Sequence, residues 1–243
     1  MPRSALVYQA FDSDVFGVPF YRLSDPAAPG VAEDIAALSD KGAFIADAKL
    51  PMGEADAIAA LERLGFRRIC SQVELCHNLA EADAVESAVA ARLADRLELD
   101  AATLSAHAAG FRFARFLQDP LLPRAASRRL MERWIANSLS GRCKLAAIGS
   151  DFCSFKDKGP EIVIDLLSCL DTGRGHASGL LQAVLTYGRD KGAERVRVVT
   201  EAENLPAMRT YRRNGFRPSV SEGGTTLVLH LVRAFGAKTA IAL

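Results

Sequence analysis

The residues best suited to chemistry lie in one unbroken stretch late in the chain. Thr172-Gly173-Arg174-Gly175-His176-Ala177-Ser178-Gly179 is a turn of mostly small residues, and Leu180, Leu181, Val184 and Leu185 behind it follow helical spacing as far as Lys191-Gly192. A turn without bulky side chains that opens a helix presents several backbone N–H groups to an anion at the positive end of the helix dipole. Within it His176 reads as a spacer. Just before it, Asp165 is an acid inside the apolar run Glu161-Ile162-Val163-Ile164-Asp165-Leu166-Leu167, where burial raises a carboxyl pKa unless a partner holds it charged. Two roles are open to it, proton acceptor or structural hydrogen-bond acceptor. Cys169 in the same apolar setting reads as a small core residue rather than a nucleophile.

The elements that position these residues follow from pattern. Glu161 to Leu167 is β-branched and largely apolar, a buried strand, and Val196 to Thr200 is another. Strand, phosphate turn, helix, strand is an order that implies a cofactor carrying a pyrophosphate. Next comes Asn204-Leu205-Pro206-Ala207-Met208-Arg209-Thr210-Tyr211-Arg212-Arg213-Asn214-Gly215-Phe216, a helix with a capping Asn, a proline in its first turn and a glycine stop.

This tract resembles the GCN5-related N-acetyltransferase (GNAT) superfamily. The family's acetyl-CoA loop, Q/R-x-x-G-x-G/A, is matched at Gly175 and Ala177, with Thr172 in place of the first Gln or Arg, and the likeness continues through Asn204 and the Tyr-x-x-x-Gly-Phe signature at Tyr211 to Phe216. The resemblance implies acetyl-CoA held by Leu170, Asp171, Thr172, Gly173, Arg174, Gly175, His176, Ala177, Ser178, Gly179 and Asn204, with no metal. It also implies direct acetyl transfer to a primary amine, which needs a deprotonated amine, a stabilised oxyanion and a proton for the departing thiolate. The family assigns the proton to Tyr211, whose phenol, with an ordinary pKa of about 10, stays protonated at neutral pH. Without the flanking motifs the same tyrosine reads as a core aromatic beside Phe216. The oxyanion is met in the family by a backbone N–H of the strand before the loop, here Leu166 to Leu170, freed by a bulge or splay. Asp165 is the first candidate for accepting the amine proton, with His107 and Glu161 behind it.

Bulk properties agree. The 243 residues are 49% hydrophobic, enough for one large domain or two modest ones. No run approaches the roughly 20 apolar residues of a membrane span, and the first residues lack the basic-then-apolar order of a signal peptide, so a cytoplasmic protein with no membrane partner is expected. The five cysteines, at 70, 76, 143, 153 and 169, lack metal-ligand spacing and read as reduced thiols. A net charge of +1 gives no support to nucleic-acid binding, although Arg174 to Arg217 holds nine Lys and Arg against four Asp and Glu. That local excess coincides with the expected cradle for a polyanion.

The first half contains an echo of the second. At a constant shift of 150, residues 31–67 match 181–217 at nine of 37 positions, clustered as Asp40-Lys41-Gly42-Ala43 with Asp190-Lys191-Gly192-Ala193 and as Arg63-x-Gly65-Phe66-Arg67 with Arg213-x-Gly215-Phe216-Arg217. Strand patterns follow at Gln72 to His77 and at Thr225 to Val232. The reading is two tandem GNAT-like α/β folds, each a mixed, mostly antiparallel twisted sheet with flanking helices. A degenerate half at 1–98 would precede a catalytic half at 99–243, with Glu81 to Asp100 helical at least in part between them. The first copy has Ser24-Asp25-Pro26-Ala27-Ala28-Pro29 opposite the cradle, Glu54 opposite Asn204 and Leu61 opposite Tyr211, which removes N–H donors and the proton donor.

The GNAT resemblance puts the acceptor amine against Ala101 to Gly141, and Phe11 to Gly17 and Phe111 to Pro120 are similar to nucleotide-sugar N-acetyltransferases of the family. Phe111, Arg112, Arg115 and Trp134 are the candidate substrate contacts, the arginines on phosphates and the aromatics on a base or sugar. Their alternative is ordinary packing, with the arginines paired to acids such as Asp119. Amino-acid, peptide, polyamine or antibiotic amines are the other acceptors, and a non-catalytic CoA-binding module, or a homodimer, is also compatible.

Overall fold

The computed structural model describes residues 5–80, 87–219 and 225–233. In chain order the elements are β1 (Leu6–Tyr8), α1 (Ala10–Phe16), β2 (Phe20–Leu23), α2 (Val31–Lys41), β3 (Phe44–Pro51), α3 (Ala55–Arg63), β4 (Arg67–Asn78) and β5 (Arg92–Ala94), then α4 (Ala101–Gly110), α5 (Arg115–Gln118) and α6 (Arg124–Asn137). They continue with β6 (Lys144–Ile148), β7 (Asp151–Asp157), β8 (Glu161–Ser168), α7 (His176–Asp190), β9 (Arg195–Glu201), α8 (Leu205–Arg213), β10 (Arg217–Pro218) and β11 (Thr225–Arg233).

Two compact units emerge, and neither is one continuous segment. The first gathers the described residues up to Gln72, Phe113–Leu130 and β11; the second gathers the rest, Val73–Arg112 and Met131 onward. The expected boundary at 98/99 therefore follows the repeat and not the compact units. β11 pairs antiparallel with β3 from Thr226↔Pro51 to Arg233↔Phe44 in the first unit, while the second half of β4 neighbours β9 in the second unit. Of residues 81–100, the expected helix over 81–86 lies outside the described residues. From Ser87 on there is no helix; the chain forms β5 on the edge of β6.

In the first unit β1 and β2 are antiparallel and β2 and β3 parallel. Strand alternation puts Ala46, Ala48 and Leu50 with Leu227, Leu229 and Leu231 on one face, covered by Ile35 of α2 and Ile58 and Leu61 of α3. The second unit runs antiparallel through β5, β6, β7 and β8, then parallel to β9, with β10 antiparallel on β4. Its core is Leu180, Leu181, Val184 and Leu185 of α7 against Ile162 and Ile164 of β8 and Val196 and Val198 of β9. Burying each of these side chains stabilises by roughly 1.5–3 kcal/mol over leaving it in water.

The repeat offset is visible in the elements. α3 and α8 begin and end 150 residues apart, at 55–63 and 205–213, and their N-cap residues share a backbone, φ −83° and ψ 59° at Glu54, φ −79° and ψ 67° at Asn204. Only Asn204 has a side chain that caps, its amide oxygen accepting from Ala207 N–H at 3.3 Å.

Candidate active site

The second unit builds its site at the carboxyl ends of β8 and β9, the usual place for a ligand in an open parallel pair. These strands pair only over Glu161↔Arg195, Ile162↔Val196 and Val163↔Arg197, although β8 continues to Ser168 and β9 to Glu201. Beyond Val163 they diverge, which leaves backbone groups on the facing edges without their usual partners. On its other edge β8 carries a bulge. Ser154 faces Leu166 and Phe155 faces Ile164, so Asp165 is the extra residue. Of the bulge or splay expected over Leu166 to Leu170, β8 and β9 are unpaired there, while the bulge falls just before, at Asp165, on the edge facing β7.

The turn after β8 enters α7 through Gly175, left-handed at φ +79°, a conformation that favours glycine. Four N–H groups, of Gly175, His176, Ala177 and Ser178, meet no acceptor among the described residues, as expected where a helix begins. This donor set fits an anion such as a pyrophosphate. Two expected donors are committed elsewhere: Gly179 N–H donates to Gly175 C=O at 3.0 Å, and Leu170 N–H to Asp151 Oδ1 at 2.8 Å. Gly179 instead serves close packing, since a Cβ there would collide with the Val89 carbonyl and lie 3.2 Å from Ile148 Cδ1. Thr172, Gly173 and Arg174 are exposed, with Arg174 at 3.9 Å from Asp171.

His176 is more than a spacer. Its Nδ1 lies 2.7 Å from Oδ2 of Asp151, the carboxylate that also takes the Leu170 N–H, so one buried acid of β7 ties together both ends of the turn. Sequence reasoning missed Asp151. The only signal was an acid beginning an apolar strand. A second clamp joins the helices: Asn214 Nδ2 donates to Ser178 Oγ at 3.1 Å and to Thr210 C=O at 2.9 Å, while its buried Oδ1 meets no donor.

Tyr211 lies in the core cluster beside Phe216, ring centroids 5.5 Å apart, and is 4% exposed. Burial first, then the neighbouring Cys153, Cys169 and Glu201, pushes its phenol well above the usual value. The hydroxyl thus keeps its proton across the physiological range. The same burial, with Asp151 adding, pushes the Cys169 thiol up to about 12, so a thiolate is as poorly tolerated here as a phenolate. A thiolate released beside Tyr211 would take a proton readily, because both anions suffer the same desolvation. Cys169 itself is held as a thiol, in keeping with a packing role.

Asp165 points to the helices on the other side of the strand. Trp134 Nε1–H donates to it at 3.1 Å, Ser138 Oγ–H at 3.0 Å and Lys156 Nζ at 3.0 Å. Its oxygens are occupied, which favours the structural of its two roles. Glu161 is likewise engaged, with Arg195 at 2.8 Å and Arg197 at 3.1 Å, at the far end of β8 from the turn. His107 of α4 reaches the right end: its Nδ1 lies 2.8 Å from Ser168 Oγ, and its ring packs 5.1 Å from Phe152. Burial lowers its pKa, opposed by Asp151, so the imidazole is neutral and able to accept a proton.

The four candidate substrate contacts do not form one set. Phe111, half-buried at the end of α4, exposed Arg112 and Trp134, committed to Asp165, belong to the second unit. Arg115 belongs to the first unit, where it pairs with Asp47 rather than with Asp119. Asp119 instead holds Arg67 and His230. Among the described residues no cluster suited to a metal occurs, and no helix is long and apolar enough to cross a membrane.

Residues 172–216, the turn through α8, match the family described as Acetyltransferase (GNAT) family. The chain is 27% identical over 176 residues to a dTDP-fucosamine acetyltransferase from Escherichia coli O6:H1 (strain CFT073), spanning 69% of this chain and 75% of that one. Among solved structures, a GCN5-related N-acetyltransferase from Sphaerobacter thermophilus aligns over 95% of this chain and 76% of its own with a TM-score of 0.59 at 14% identity. A tandem GNAT protein from the clavulanic acid biosynthesis pathway aligns over 89% and 76% with a TM-score of 0.53, also at 14% identity. At such identities these two structures speak for the fold alone. The open N–H groups, β9 and the buried tyrosine lie inside the matched segment and β8 just before it, so the part of the chain that resembles the GNAT acetyltransferases is the part that carries the site, and the likeness supports an acyltransferase.

Proposed function

We propose that the second unit moves an acetyl group from acetyl-CoA to a primary amine by direct attack, and that the acceptor is an amino sugar on a nucleotide carrier. The observation that carries the cofactor reading is the set of four open N–H groups from Gly175 to Ser178 beside the gap between β8 and β9. Acetyl-CoA, when bound, supplies an acetyl thioester. Gly175 to Ser178 would hold its pyrophosphate at the dipole end of α7, and the edges of β8 and β9 would orient the pantetheine arm. Tyr211 holds a proton at Oη for the leaving sulfur. His107, through Ser168, is placed to receive the proton of the amine, and it replaces Asp165 as the preferred base because the oxygens of Asp165 already accept three hydrogen bonds.

The sugar acceptor is supported by the likeness to the dTDP-fucosamine acetyltransferase, a protein whose name states that substrate. The first unit is read as the degenerate copy of a tandem pair. Its α2 begins after a left-handed Gly30 as α7 does after Gly175, but Leu61 stands at the tyrosine position and the Glu54 side chain makes no cap. The deciding experiment is acetyl-CoA-dependent CoA release measured across an amine panel that includes nucleotide-linked amino sugars, free amino sugars, amino acids and polyamines. Turnover confined to the nucleotide-linked group is the expected result. Turnover on free amino acids or polyamines alone would overturn the acceptor, and none with any amine would leave a binding module.

A further inference from the structure

The sheet of the first unit has a second face, opposite α2 and α3, and it is built around charge. Strand alternation turns Arg22 of β2, Asp47 and Lys49 of β3 and His230 of β11 to this side, with Arg22 beside Asp47 and Asp47 beside His230 in the register. One end of the face is closed by aromatic packing, Phe16, Phe20 and Phe116 with centroids 5.7–5.9 Å apart, and by Phe116 stacked on His230 at 5.8 Å. The other end is open and polar. There Asp47, fully buried, takes a two-pronged bond from Arg22, Nε at 3.0 Å and Nη2 at 2.9 Å, and a further one from Nη1 of Arg115.

One carboxylate thus serves two guanidiniums. Lys49 adds a third cation, an exposed residue whose ammonium is held by the Gln72 amide oxygen at 2.9 Å, with no carboxylate partner among the described residues. Asp12 of α1 is the other acid of the cluster. Counting Arg22, Lys49 and Arg115 against Asp47 and Asp12, the group carries an excess of one positive charge, and Asp119, Arg67 and neutral His230 behind it add none. Desolvation by the surrounding protein, with Arg115 and Arg22 close by, lowers the Lys49 ammonium to about 8. Burial raises the Asp12 carboxyl, opposed by Arg115. The Lys49 shift is the one expected of a cation crowded among other cations, whereas that of Asp12 comes from burial and is opposed by them.

We infer that this face is a binding site for a phosphoryl group, held by the Lys49 ammonium together with the N–H groups of Arg22 and Arg115 that Asp47 leaves free. Each guanidinium has five N–H donors and spends only one or two on Asp47, and a tetrahedral anion accepts from several directions at once. Structurally Asp47 works as a holder that keeps both guanidiniums splayed and ready. A dianion exceeds the single spare charge, which is counted with Lys49 protonated, so it draws a proton onto Lys49 wherever that is deprotonated and a further one onto Asp12. Binding is therefore coupled to proton uptake. The site involves no residue of the α7 turn and does not depend on acetyl transfer. Its ligand is either the diphosphate of a nucleotide or free phosphate, which share this chemistry.

The test is calorimetric titration of the full chain at pH 8 in two buffers of different ionisation heat, with the α7 turn blocked by saturating CoA. Because that step presumes the cofactor reading, the titration is repeated without CoA on the Gly175→Pro variant, so that failure of CoA to bind is seen separately. The probes are inorganic phosphate and a nucleoside diphosphate. We expect one site, net proton uptake by Lys49, whose ammonium is lowered toward this pH, and a loss of about tenfold or more in Lys49→Gln that Lys49→Arg restores. A nucleoside diphosphate binding about tenfold tighter than phosphate identifies a nucleotide as the source, and equal affinity identifies free phosphate. No binding under either condition, or affinity unchanged in Lys49→Gln, overturns the proposal.

Discussion

Asp151 offers the sharpest perturbation of the cofactor site, because two lines of reasoning give opposite signs. Electrostatics alone says that removing a carboxylate near a phosphate site should strengthen binding, by about 1 kcal/mol for a pair some 4 Å apart in water. The structure says otherwise. Asp151 accepts from Leu170 N–H at 2.8 Å and meets His176 Nδ1 at 2.7 Å, so it pins the turn at both ends. Hydrogen bonds to a charged group are worth about 1.5–3 kcal/mol each, and fixing one backbone residue costs roughly 1–2 kcal/mol. Leu170 is exposed and can turn to water, so most of the loss falls on the order of the turn rather than on the fold. Asp151→Ala should weaken CoA binding by roughly 10- to 100-fold, about 1.4–2.7 kcal/mol, with a fall in Tm of a few degrees. Asp151→Asn, which keeps an oxygen for Leu170 and offers an N–H₂ to an imidazole nitrogen, should lose about threefold or less. Calorimetry with CoA and thermal unfolding read both effects. CoA bound as tightly or more tightly by Asp151→Ala would show that charge, not order, governs the turn, and the reasoning would fail.

Tyr211→Phe keeps the ring in the core and removes only the proton donor, so CoA affinity and Tm should hold while turnover falls roughly 100-fold or more; full activity would return the tyrosine to packing. His107→Gln should lower turnover by roughly 100-fold with the fold intact, and Asp165→Asn should cost stability rather than the chemical step; the reverse pattern in CoA-release assays would restore Asp165 as the base. Stability should fall with acid in two stages. His107 and His230 have lowered values from burial, so the unfolded chain binds protons first as pH drops below about 6.5. Burial works against Asp47 and Asp119, but Arg115 and Arg22 around the first and His230, Leu121 N–H and Arg67 around the second hold both below the usual range, so their contribution is present above about 4 and lost as pH falls through the lowered values. Denaturant midpoints measured from pH 8 to pH 3 check this, and a flat profile would contradict it. A chain divided between residues 98 and 99 separates β3 from β11 and β9 from β4, so neither piece should fold alone, and a soluble, active fragment starting at residue 99 would be the contrary result.

Local order was legible in the sequence. The Gly175 turn, the Asn204 cap with Pro206, the strand at Glu161 and the 150-residue echo that returns as α3 and α8 are set by interactions among near neighbours, and near neighbours leave periodic or positional marks. What only the tertiary structure decided involves partners far apart in the chain. Arg115 pairs with Asp47 across 68 residues, Trp134 with Asp165 across 31, and His176 with Asp151 across 25. Such pairs depend on register and on which face a strand presents, and a single-residue bulge such as that at Asp165 shifts the pairing register of everything beyond it. The partners of β4 and β11 were hidden for the same reason: both strands carry alternating patterns, which do not say which strand each pairs with, so only the packed chain determines it.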